Sequence, residues 1–276
     1  KKDENKVWEV RKAGLGLLMG KVGPKKAVAV IEDAVVPIDK LYLYYQEIKS
    51  LMQFYNVNAV YYGHASVGLI HIRPELDLSK KKDQEAMRRI AKKVSKIVKK
   101  YHGSLSGEHG DGRVRAPFLK EQFGAVVYQY LVNLKYTFDP NNLFNPGVIL
   151  TNKSILEDLR TVVNRVDLPT AFNWTSDRSF YYAAEKCNGA GVCRKSTDGT
   201  MCPSYRATRS EEFSTRGRAN LLRKALSSSD PAQNLKNSEL KEALDLCLSC
   251  KACKSECPAN IDMARLKSEY LFQIRN

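Results

Sequence analysis

Cysteine is absent from the first 186 residues of this 276-residue chain, and all seven cysteines lie between Cys187 and Cys257. An odd number of clustered cysteines, without a secretory signal, argues against a disulfide framework and predicts metal binding in a reducing cytoplasm. No apolar run approaches the ~20 residues that cross a bilayer. We therefore expect no membrane span, and peripheral attachment at the inner membrane is left open. The chain opens Lys1-Lys2-Asp3 without methionine, which predicts a piece of a longer protein.

Acidic residues are outnumbered by basic ones: 45 lysines and arginines against 30 aspartates and glutamates give a net charge of +15. Such a charge suggests a nucleic-acid partner. Much of it, however, falls in and after Lys80-Lys81-Lys82, where apolar residues recur at helical spacing from Met87 to Tyr101. That pattern is typical of a helix with a solvated basic face. Because no zinc finger or aromatic-rich RNA motif is present, we predict no nucleic-acid binding.

The chain is predicted to contain two domains. Residues 1–150 indicate an α+β domain with an antiparallel sheet and flanking helices, residues 151–175 a linker, and residues 176–276 an all-α domain. The expected strands are Val28–Ile31, Asn58–His64 and Leu69–Arg73. The expected helices are Ile38–Tyr55, a long basic helix capped by Ser79 and stopped by Gly103, Arg115–Phe123, and Ala125–Phe138.

The last four cysteines follow the spacing of bacterial ferredoxins, Cys247-x2-Cys250-x2-Cys253-x3-Cys257-Pro258. Three thiolates on one tight turn can hold one face of a 4Fe–4S cube, and the fourth reaches a neighbouring cluster. A zinc site needs only four tetrahedral ligands. The third and fourth cysteines at these offsets, with the proline that follows, favour iron–sulfur. The all-α domain is therefore predicted to be ferredoxin-like, with two clusters.

The earlier cysteine group is incomplete. A full motif would place a third cysteine midway between Cys187 and Cys193, but that position is Ala190, and the gap to Cys202-Pro203 is longer than three residues. By the crossover rule, one 4Fe–4S cluster has four thiolates: Cys202, Cys247, Cys250 and Cys253. The second cluster has only three: Cys187, Cys193 and Cys257.

The missing thiolate of the second cluster leaves two interpretations open. The cluster is either still a cube, with an oxygen ligand from Ser196, Asp198 or water, or a 3Fe–4S cluster whose missing iron corner needs no ligand. We take the 3Fe–4S cluster as the expectation, because Gly189 and Gly191 let the loop wrap too tightly for a long replacement side chain.

All four histidines lie beside two glycine-rich segments: His64, His71, His102 and His109. If the first hairpin turns at Val67-Gly68, then His64 and His71 pair directly across the ladder, with Cβ atoms ~5 Å apart. That distance suits a shared metal ion or a shared ligand, although such a pair is also common as a structural feature. Glu108-His109, in its glycine-flanked loop, allows the same two interpretations.

These segments together resemble the FAD-linked oxidase C-terminal domain of the D-lactate, glycolate and D-2-hydroxyglutarate dehydrogenases. The resemblance covers residues 7–150 and is carried by Trp8-Glu9-Val10-Arg11, Glu32-Asp33-Ala34-Val35-Val36-Pro37, the segment from Gly63-His64 to His71, the segment from Gly103 to Gly112, and Phe138-Asp139-Pro140 with Asn145-Pro146-Gly147. Residues 185–270 are similar to the iron–sulfur segment fused to that domain in large bacterial flavoproteins, through Cys202-Pro203-Ser204-Tyr205 and Ser214-Thr215-Arg216-Gly217-Arg218.

The resemblance implies a role for several residues. His64, His71 and Glu108 match the family's ligands for a divalent metal such as zinc, which would bind the substrate's carboxylate and hydroxyl oxygens. His109 matches the base that takes the hydroxyl proton as hydride passes to the flavin. Arg11 matches a contact to the substrate carboxylate.

The resemblance also implies where the flavin binds. Asn145 lies where the family's tail returns to the flavin. In such relatives a separate N-terminal domain holds most of the FAD, and we expect that domain to belong to the same parent chain. Cysteine-rich domains often follow the clusters, so the expected electron acceptor is a quinone or such a domain.

The chain also departs from the family. Relatives commonly have Gly-Asp-Gly-Asn between the two metal-binding histidines, whereas this sequence has Ser66-Val67-Gly68-Leu69. Arg73 stands where many relatives have asparagine, and an added cation there favours a substrate with a second carboxylate. We therefore expect a flavin-dependent D-2-hydroxyacid dehydrogenase that passes electrons through iron–sulfur clusters, with D-2-hydroxyglutarate ahead of D-lactate and glycolate. The alternative is an electron-transfer or scaffold module whose substrate site has decayed.

Overall fold

The computed structural model describes residues 2–19, 21–160 and 166–275. The chain divides into two compact units, Pro24–Thr161 and a second formed by Lys1–Gly23 with Val162–Asn276. We call the first the α+β unit and the second the helical unit.

The α+β unit is built on a three-stranded antiparallel sheet with the strand order β1-β3-β2. Its core contains Tyr44, Ile48, Ile72, Ile90 and Val98, all fully buried. The small sheet with many helices agrees with the predicted α+β class. Helix α1 (Lys2–Met19) precedes the unit, whose elements are β1 (Lys25–Ala27), α2 (Leu41–Phe54), β2 (Ala59–His64), β3 (Leu69–Asp77), α3 (Lys81–Lys100), α4 (Gly112–Arg115) and α5 (Leu119–Phe138).

The first strand lies earlier in the chain than predicted, so the expectation of a strand at Val28–Ile31 is wrong. Strand β1 ends at Ala27, and Val28 adds one more hydrogen bond to Pro74 before Val30 bonds back to the Val28 carbonyl. Val30 and Ile31 are buried in the core all the same. The apolar run therefore marks burial of an irregular segment, which periodicity alone cannot distinguish from a short buried strand.

The hairpin of β2 and β3 has a different register from the predicted one. Residues 65–67 form a 3-10 turn and Gly68 adopts the left-handed conformation, so the hairpin closes through a longer loop than the expected two-residue turn. Tyr62 lies opposite His71, and His64 lies opposite Leu69. The prediction of a directly opposed histidine pair is wrong. The two histidines are instead diagonal neighbours on the same face of the ladder, because the change of register preserves the alternation of side chains.

The central strand, β3, is longer than the predicted Leu69–Arg73 and continues through Pro74 to Asp77. A proline lacks a backbone donor and normally argues against a central strand. Pro74 is accommodated because it sits where β3 changes partners: β2 pairs up to Pro74, and β1 pairs from Glu75 onwards.

The long basic helix forms as predicted, although its end residues differ. Lys80 is the N-cap of α3, and Ser79 instead donates its hydroxyl to Asp77. At the other end His102 takes the left-handed conformation, and Gly103 donates to the Val98 carbonyl. The predicted break between the two following helices appears as a kink inside α5, where Gly124 has non-helical dihedral angles.

The helical unit contains no strand among its described residues, and its core includes four buried cysteines, Cys187, Cys193, Cys202 and Cys253. On its last helix the fully buried Glu269 accepts hydrogen bonds from the backbone of Ala171 and Phe172 and from the indole of Trp174. Its helices are α6 (Phe180–Glu185), α7 (Pro203–Thr208), α8 (Thr215–Leu226), α9 (Pro231–Asn234), α10 (Ser238–Asp245), α11 (Ala252–Glu256) and α12 (Met263–Arg275).

Across the described residues, none of the helices combines the length and the apolar character that crossing a bilayer would require.

Gly68 is expected to be the more sensitive of two glycines that share a φ of +76°. A Cβ atom at Gly68 would lie 1.9 Å from the Val36 carbonyl oxygen, whereas a Cβ at Gly110 would meet nothing within 4 Å. We expect Gly68→Ala to lower the free energy of unfolding by about 3 kcal/mol, and Gly110→Ala by about 1 kcal/mol for the left-handed backbone alone. Denaturant unfolding of both variants measures the difference, and equal losses would contradict the close packing at Gly68.

Candidate functional site

The carboxylate of Glu108 lies among three imidazole rings in the α+β unit. Its Oε1 atom is 3.1 Å from Nε2 of His71, 3.3 Å from Nε2 of His109 and 3.5 Å from Nε2 of His64. The rings of His64 and His71 meet edge to face at 5.5 Å, and those of His71 and His109 stack at 5.0 Å. The structure therefore brings together all three predicted metal ligands and the predicted base.

The orientation of His71 is set from behind the ring. Its Nδ1 lies 2.6 Å from the backbone carbonyl oxygen of Glu32, and because a carbonyl only accepts, Nδ1 must carry the proton. Nε2 then has a lone pair that faces the Glu108 carboxylate, and two acceptors 3.1 Å apart repel unless a cation or proton lies between them. This arrangement, with the far nitrogen held by a carbonyl, is the one metal-binding histidines usually have.

Asp33 holds the loop that carries Glu108 and His109. Its carboxylate is fully buried and accepts hydrogen bonds from the Ser106 hydroxyl and from the backbone N–H groups of Gly107, Glu108 and His109. Burial acts to raise the pKa of Asp33, but these hydrogen bonds outweigh it and hold the pKa below its usual value. The aspartate is therefore ionised, and it fixes the path of the loop backbone.

Asp33 also belongs to a group of four residues that could bind a metal ion. The ligand atoms of Asp33, His71, Glu108 and His109 all lie within 4.8 Å of one another. His64 is outside that set but within 3.5 Å of Glu108. The residues present thus fit a divalent cation, with nitrogen and carboxylate donors of the kind that zinc accepts.

Glu32 connects His109 to Arg73. Its Oε1 is 3.4 Å from Nδ1 of His109, and its Oε2 is 2.5 Å from Nη2 of Arg73. Arg73 is buried, at 7% exposed, and its guanidinium lies near the ring of Tyr62. The predicted substrate-binding arginine is thus already paired with a carboxylate in this structure.

Two further residues were predicted for this site, Arg11 and Asn145. Arg11 is an exposed residue of α1, which belongs to the helical unit. Asn145 is exposed in the α+β unit and has a φ of 46°. It lines an open apolar groove between α5 and the irregular segment 139–152 that follows this helix, together with Tyr128, Lys135, Phe138, Phe144 and Gly147.

In the helical unit, four cysteines line one pocket, and they are the four predicted for the 4Fe–4S cluster: Cys202, Cys247, Cys250 and Cys253. In the loop from Cys247 to Cys253, Ser249 and Lys251 both have positive φ angles. Such a strained backbone is typical of loops shaped for a ligand. The donor set and the shaped loop fit an iron–sulfur cluster.

Burial raises the pKa of the Cys253 thiol to about 11. This thiol therefore stays protonated at neutral pH in the absence of metal, and a metal that binds it must displace the proton.

The other three cysteines, Cys187, Cys193 and Cys257, are not among the residues that line this pocket. Cys193 is buried beside the Ser214 hydroxyl and the Arg216 backbone, and burial raises the pKa of its thiol in spite of those hydrogen bonds. Arg216 also donates from Nη1 to the Gly189 carbonyl in the loop that begins at Cys187. Cys257 follows Glu256, whose carboxylate is bound by the Lys195 side chain and by backbone N–H groups of residues 200 and 201.

The sequence did not predict three residues on which the cluster of Glu108 and the three histidines depends: Glu32, Asp33 and Ser106. The available signal was the acidic pair Glu32-Asp33 inside an otherwise apolar stretch from Val28 to Val36. Two carboxylates in a buried segment need partners, which marks them as candidates for a site.

Two family models match the chain. Residues 1–149 match the model described as FAD linked oxidases, C-terminal domain, and residues 183–261 match the 4Fe-4S dicluster domain. Because the first model covers more than half of the chain, the chain belongs to the family of FAD linked oxidases through their C-terminal domain. The class that these two matches define is a chain with the C-terminal domain of an FAD linked oxidase and a region that matches a 4Fe-4S dicluster domain.

Curated relatives agree with this class. The chain is 31% identical to a D-2-hydroxyglutarate dehydrogenase of Haemophilus influenzae, over 96% of this chain and 29% of the relative. It is 31% identical to the enzyme of that name from Escherichia coli, over 96% of this chain and 30% of the relative. A D-lactate dehydrogenase of Archaeoglobus fulgidus is 31% identical over 54% of this chain and 32% of its own length. The chain thus spans less than a third of the curated relatives it matches.

Replacing Asp33 is expected to weaken metal binding. Asn at this position cannot accept from all of the loop donors, so Asp33→Asn should lower metal affinity roughly 10- to 100-fold. The matched control is Asp139→Asn, because Asp139 is also a buried carboxylate that holds a loop through backbone N–H groups, those of Leu143 and Phe144. Metal content after dialysis against a graded chelator measures the effect. A folded Asp33→Asn protein that retains metal like the control would contradict it.

Proposed function

We propose that the parent protein is a flavin-dependent D-2-hydroxyacid dehydrogenase, with D-2-hydroxyglutarate as the leading substrate, and that this chain supplies its substrate-side domain and electron path. The observation that carries the proposal is the Glu108 carboxylate with three imidazole nitrogens 3.1 to 3.5 Å from one oxygen. Such a group has the composition of a cation site and is open to a small molecule, since the side chains of His64, Glu108 and His109 are 40 to 46% exposed.

A divalent metal such as zinc would be held by His64, His71 and Glu108. When bound, such an ion supplies Lewis acidity toward the oxygens of a hydroxyacid. His71 is the best oriented of the ligands, through its contact with the Glu32 carbonyl. Asp33 and His109 also lie close enough to His71 and Glu108 to act as ligands. The true ligands are therefore identified by measuring which single variants lose the metal.

His109 is proposed as the base that accepts the hydroxyl proton. Its Nδ1 faces two carboxylates, Glu32 at 3.4 Å and Asp33 at 3.7 Å. Carboxylates accept hydrogen bonds, so they favour the proton on Nδ1 and leave a lone pair on Nε2. Nε2, which lies 3.3 Å from Oε1 of Glu108, then carries the lone pair that a general base requires.

Arg11 and Arg73 are proposed to contact the substrate's carboxylates. For Arg73 the pairing with Glu32 sets a condition: a second substrate carboxylate must replace Glu32 as the partner of the guanidinium. Glu32 would then be left with His109 alone, so a diacid substrate would also change the surroundings of the base.

FAD is proposed to bind mainly through another domain of the parent chain, with Asn145 at its edge. Support comes from the exposed apolar side chains of α5 and segment 139–152 that line the same groove as Asn145, including Leu134, Tyr136, Phe138 and Phe144. Contiguous exposed apolar surface of this kind is typical of an interface. When bound, the flavin accepts hydride from the substrate.

The helical unit is proposed to be ferredoxin-like, with a 4Fe–4S cluster on Cys202, Cys247, Cys250 and Cys253 and a second cluster on Cys187, Cys193 and Cys257. When bound, such clusters carry single electrons toward an acceptor, here a quinone or a cysteine-rich domain. The shared pocket supports the first set. Ala190, in an exposed loop between two left-handed glycines, supports the three-iron form of the second.

Turnover and metal content together test the substrate site. In the full-length protein we expect D-2-hydroxyglutarate to reduce an artificial acceptor faster than D-lactate or glycolate. His64→Ala, His71→Ala and Glu108→Gln should each abolish turnover and lose metal, since truncating one ligand leaves the coordination incomplete. His109→Ala should lose turnover but retain metal. The control is His102→Ala, a histidine outside the cluster.

Two outcomes would count against this assignment. Retention of both metal and activity by His64→Ala would remove it from the ligand set. If the protein transfers electrons through its iron–sulfur centres but oxidises no hydroxyacid, the result would favour the alternative, an electron-transfer or scaffold module.

Spectroscopy tests the two clusters. For anaerobically prepared protein we expect seven irons per chain, ~4 in one cluster and ~3 in the other, and an EPR signal in the oxidised sample, because an oxidised 3Fe–4S cluster has an odd electron count. Ala190→Cys should quench that signal by completing a cube. An EPR-silent oxidised sample with about eight irons per chain would overturn the three-iron assignment and favour an oxygen ligand.

A further inference from the structure

Arg218 is a fully buried side chain of the helical unit and is only 1% exposed. Its Nε donates to the Ala243 carbonyl at 2.5 Å, and its Nη1 lies 3.5 Å from the sulfur of Cys202. Its Nη2 is buried without a hydrogen-bond partner. Among the residues that the structure describes, no carboxylate forms an ion pair with it.

A buried guanidinium without a counter-charge is unfavourable by several kcal/mol. The Ala243 carbonyl offers only a dipole. The guanidinium, however, lines the same pocket as Cys202, Cys247, Cys250 and Cys253. The charge that balances Arg218 is therefore to be found in that pocket.

The position of Arg218 is fixed by the start of α8. The Ser214 side chain caps the helix by accepting from the backbone N–H of Gly217. A Cβ atom at Gly217 would lie 2.1 Å from the Glu211 carbonyl, so this turn packs too closely for any other residue. The next residue, Arg218, is thereby held against the pocket wall.

We propose that Arg218 is the counter-charge of the iron–sulfur centre in this pocket and raises its reduction potential. This rests on the proposed binding of a 4Fe–4S cluster by these four cysteines. Nη1 is within reach of the Cys202 sulfur, and Nη2 is the donor left over for a group bound in the pocket. One electron, delivered from the reduced flavin, makes the centre more negative by one unit, so a cation and its N–H donors stabilise the reduced form more than the oxidised form.

An arginine suits this place better than a lysine. The planar guanidinium directs separate N–H groups to three partners at once: the Ala243 carbonyl, the Cys202 sulfur and the pocket. A lysine ammonium retains the positive charge but cannot donate hydrogen bonds to all three partners at once. The charge and the hydrogen-bond geometry can therefore be varied separately.

The test is a redox titration of the full-length protein, followed by EPR, with iron and sulfide content measured on the same samples. Arg218→Met removes the charge at similar volume, and Arg218→Lys retains it. The matched control is Lys224→Met, which removes a charge from an exposed position on the same helix. We expect a midpoint potential well below that of the wild type for Arg218→Met, an intermediate value for Arg218→Lys, and no change for the control.

A fully loaded Arg218→Met protein with the wild-type potential would overturn the proposal. If Arg218→Met fails to fold or to hold its cluster, wild-type protein labelled with [15N]arginine decides. Pulsed EPR of its reduced 4Fe–4S centre should then detect nitrogen coupling that Arg218→Lys lacks, and no coupling would overturn the proposal. A wild-type 4Fe–4S signal that survives Cys202→Ala would instead refute the cluster assignment itself.

Discussion

The carboxylate of Asp33 accepts hydrogen bonds from one hydroxyl and three backbone N–H groups of a single loop, and the geometry of the candidate metal site depends on it. The loop contains Gly107, Gly110 and Gly112, so its own conformational preferences are weak. A buried anion that gathers consecutive N–H groups selects one backbone path, and that path places Glu108 and His109 toward the hairpin histidines. The neighbouring Glu32 contacts two of the histidines. Its backbone carbonyl accepts a hydrogen bond from Nδ1 of His71, and its carboxylate lies beside Nδ1 of His109.

Much of the candidate chemistry could be predicted from the sequence, because it is encoded locally. The ferredoxin spacing places Cys247, Cys250 and Cys253 on one turn whatever the rest of the fold does, and in the structure Cys202 lines the same pocket as these three. The buried face of α3 was likewise predictable from spacing.

What the sequence could not provide depends on contacts between distant segments. The hairpin register follows from a 3-10 turn and a left-handed Gly68, which the alternation of side chains does not reveal. Asp33 bonds residues more than 70 positions away, and Arg218 meets Ala243 and Cys202 from a third segment. A lone charged residue in an apolar stretch signals that a partner exists, but it does not identify the partner. The pairing of Arg73 with Glu32 is of the same kind.

The cysteine pocket joins two points that are far apart along the chain. A group bonded to both Cys202 and Cys247 closes a loop of about 45 residues, and such closure removes conformational entropy from the unfolded chain, worth about 4 kcal/mol at 25 °C on the disulfide model. Helices α7 to α10 lie inside this loop. An iron centre bound by these cysteines would act as a covalent cross-link during folding, so the persistence of these helices would then depend on iron supply as well as on their own packing.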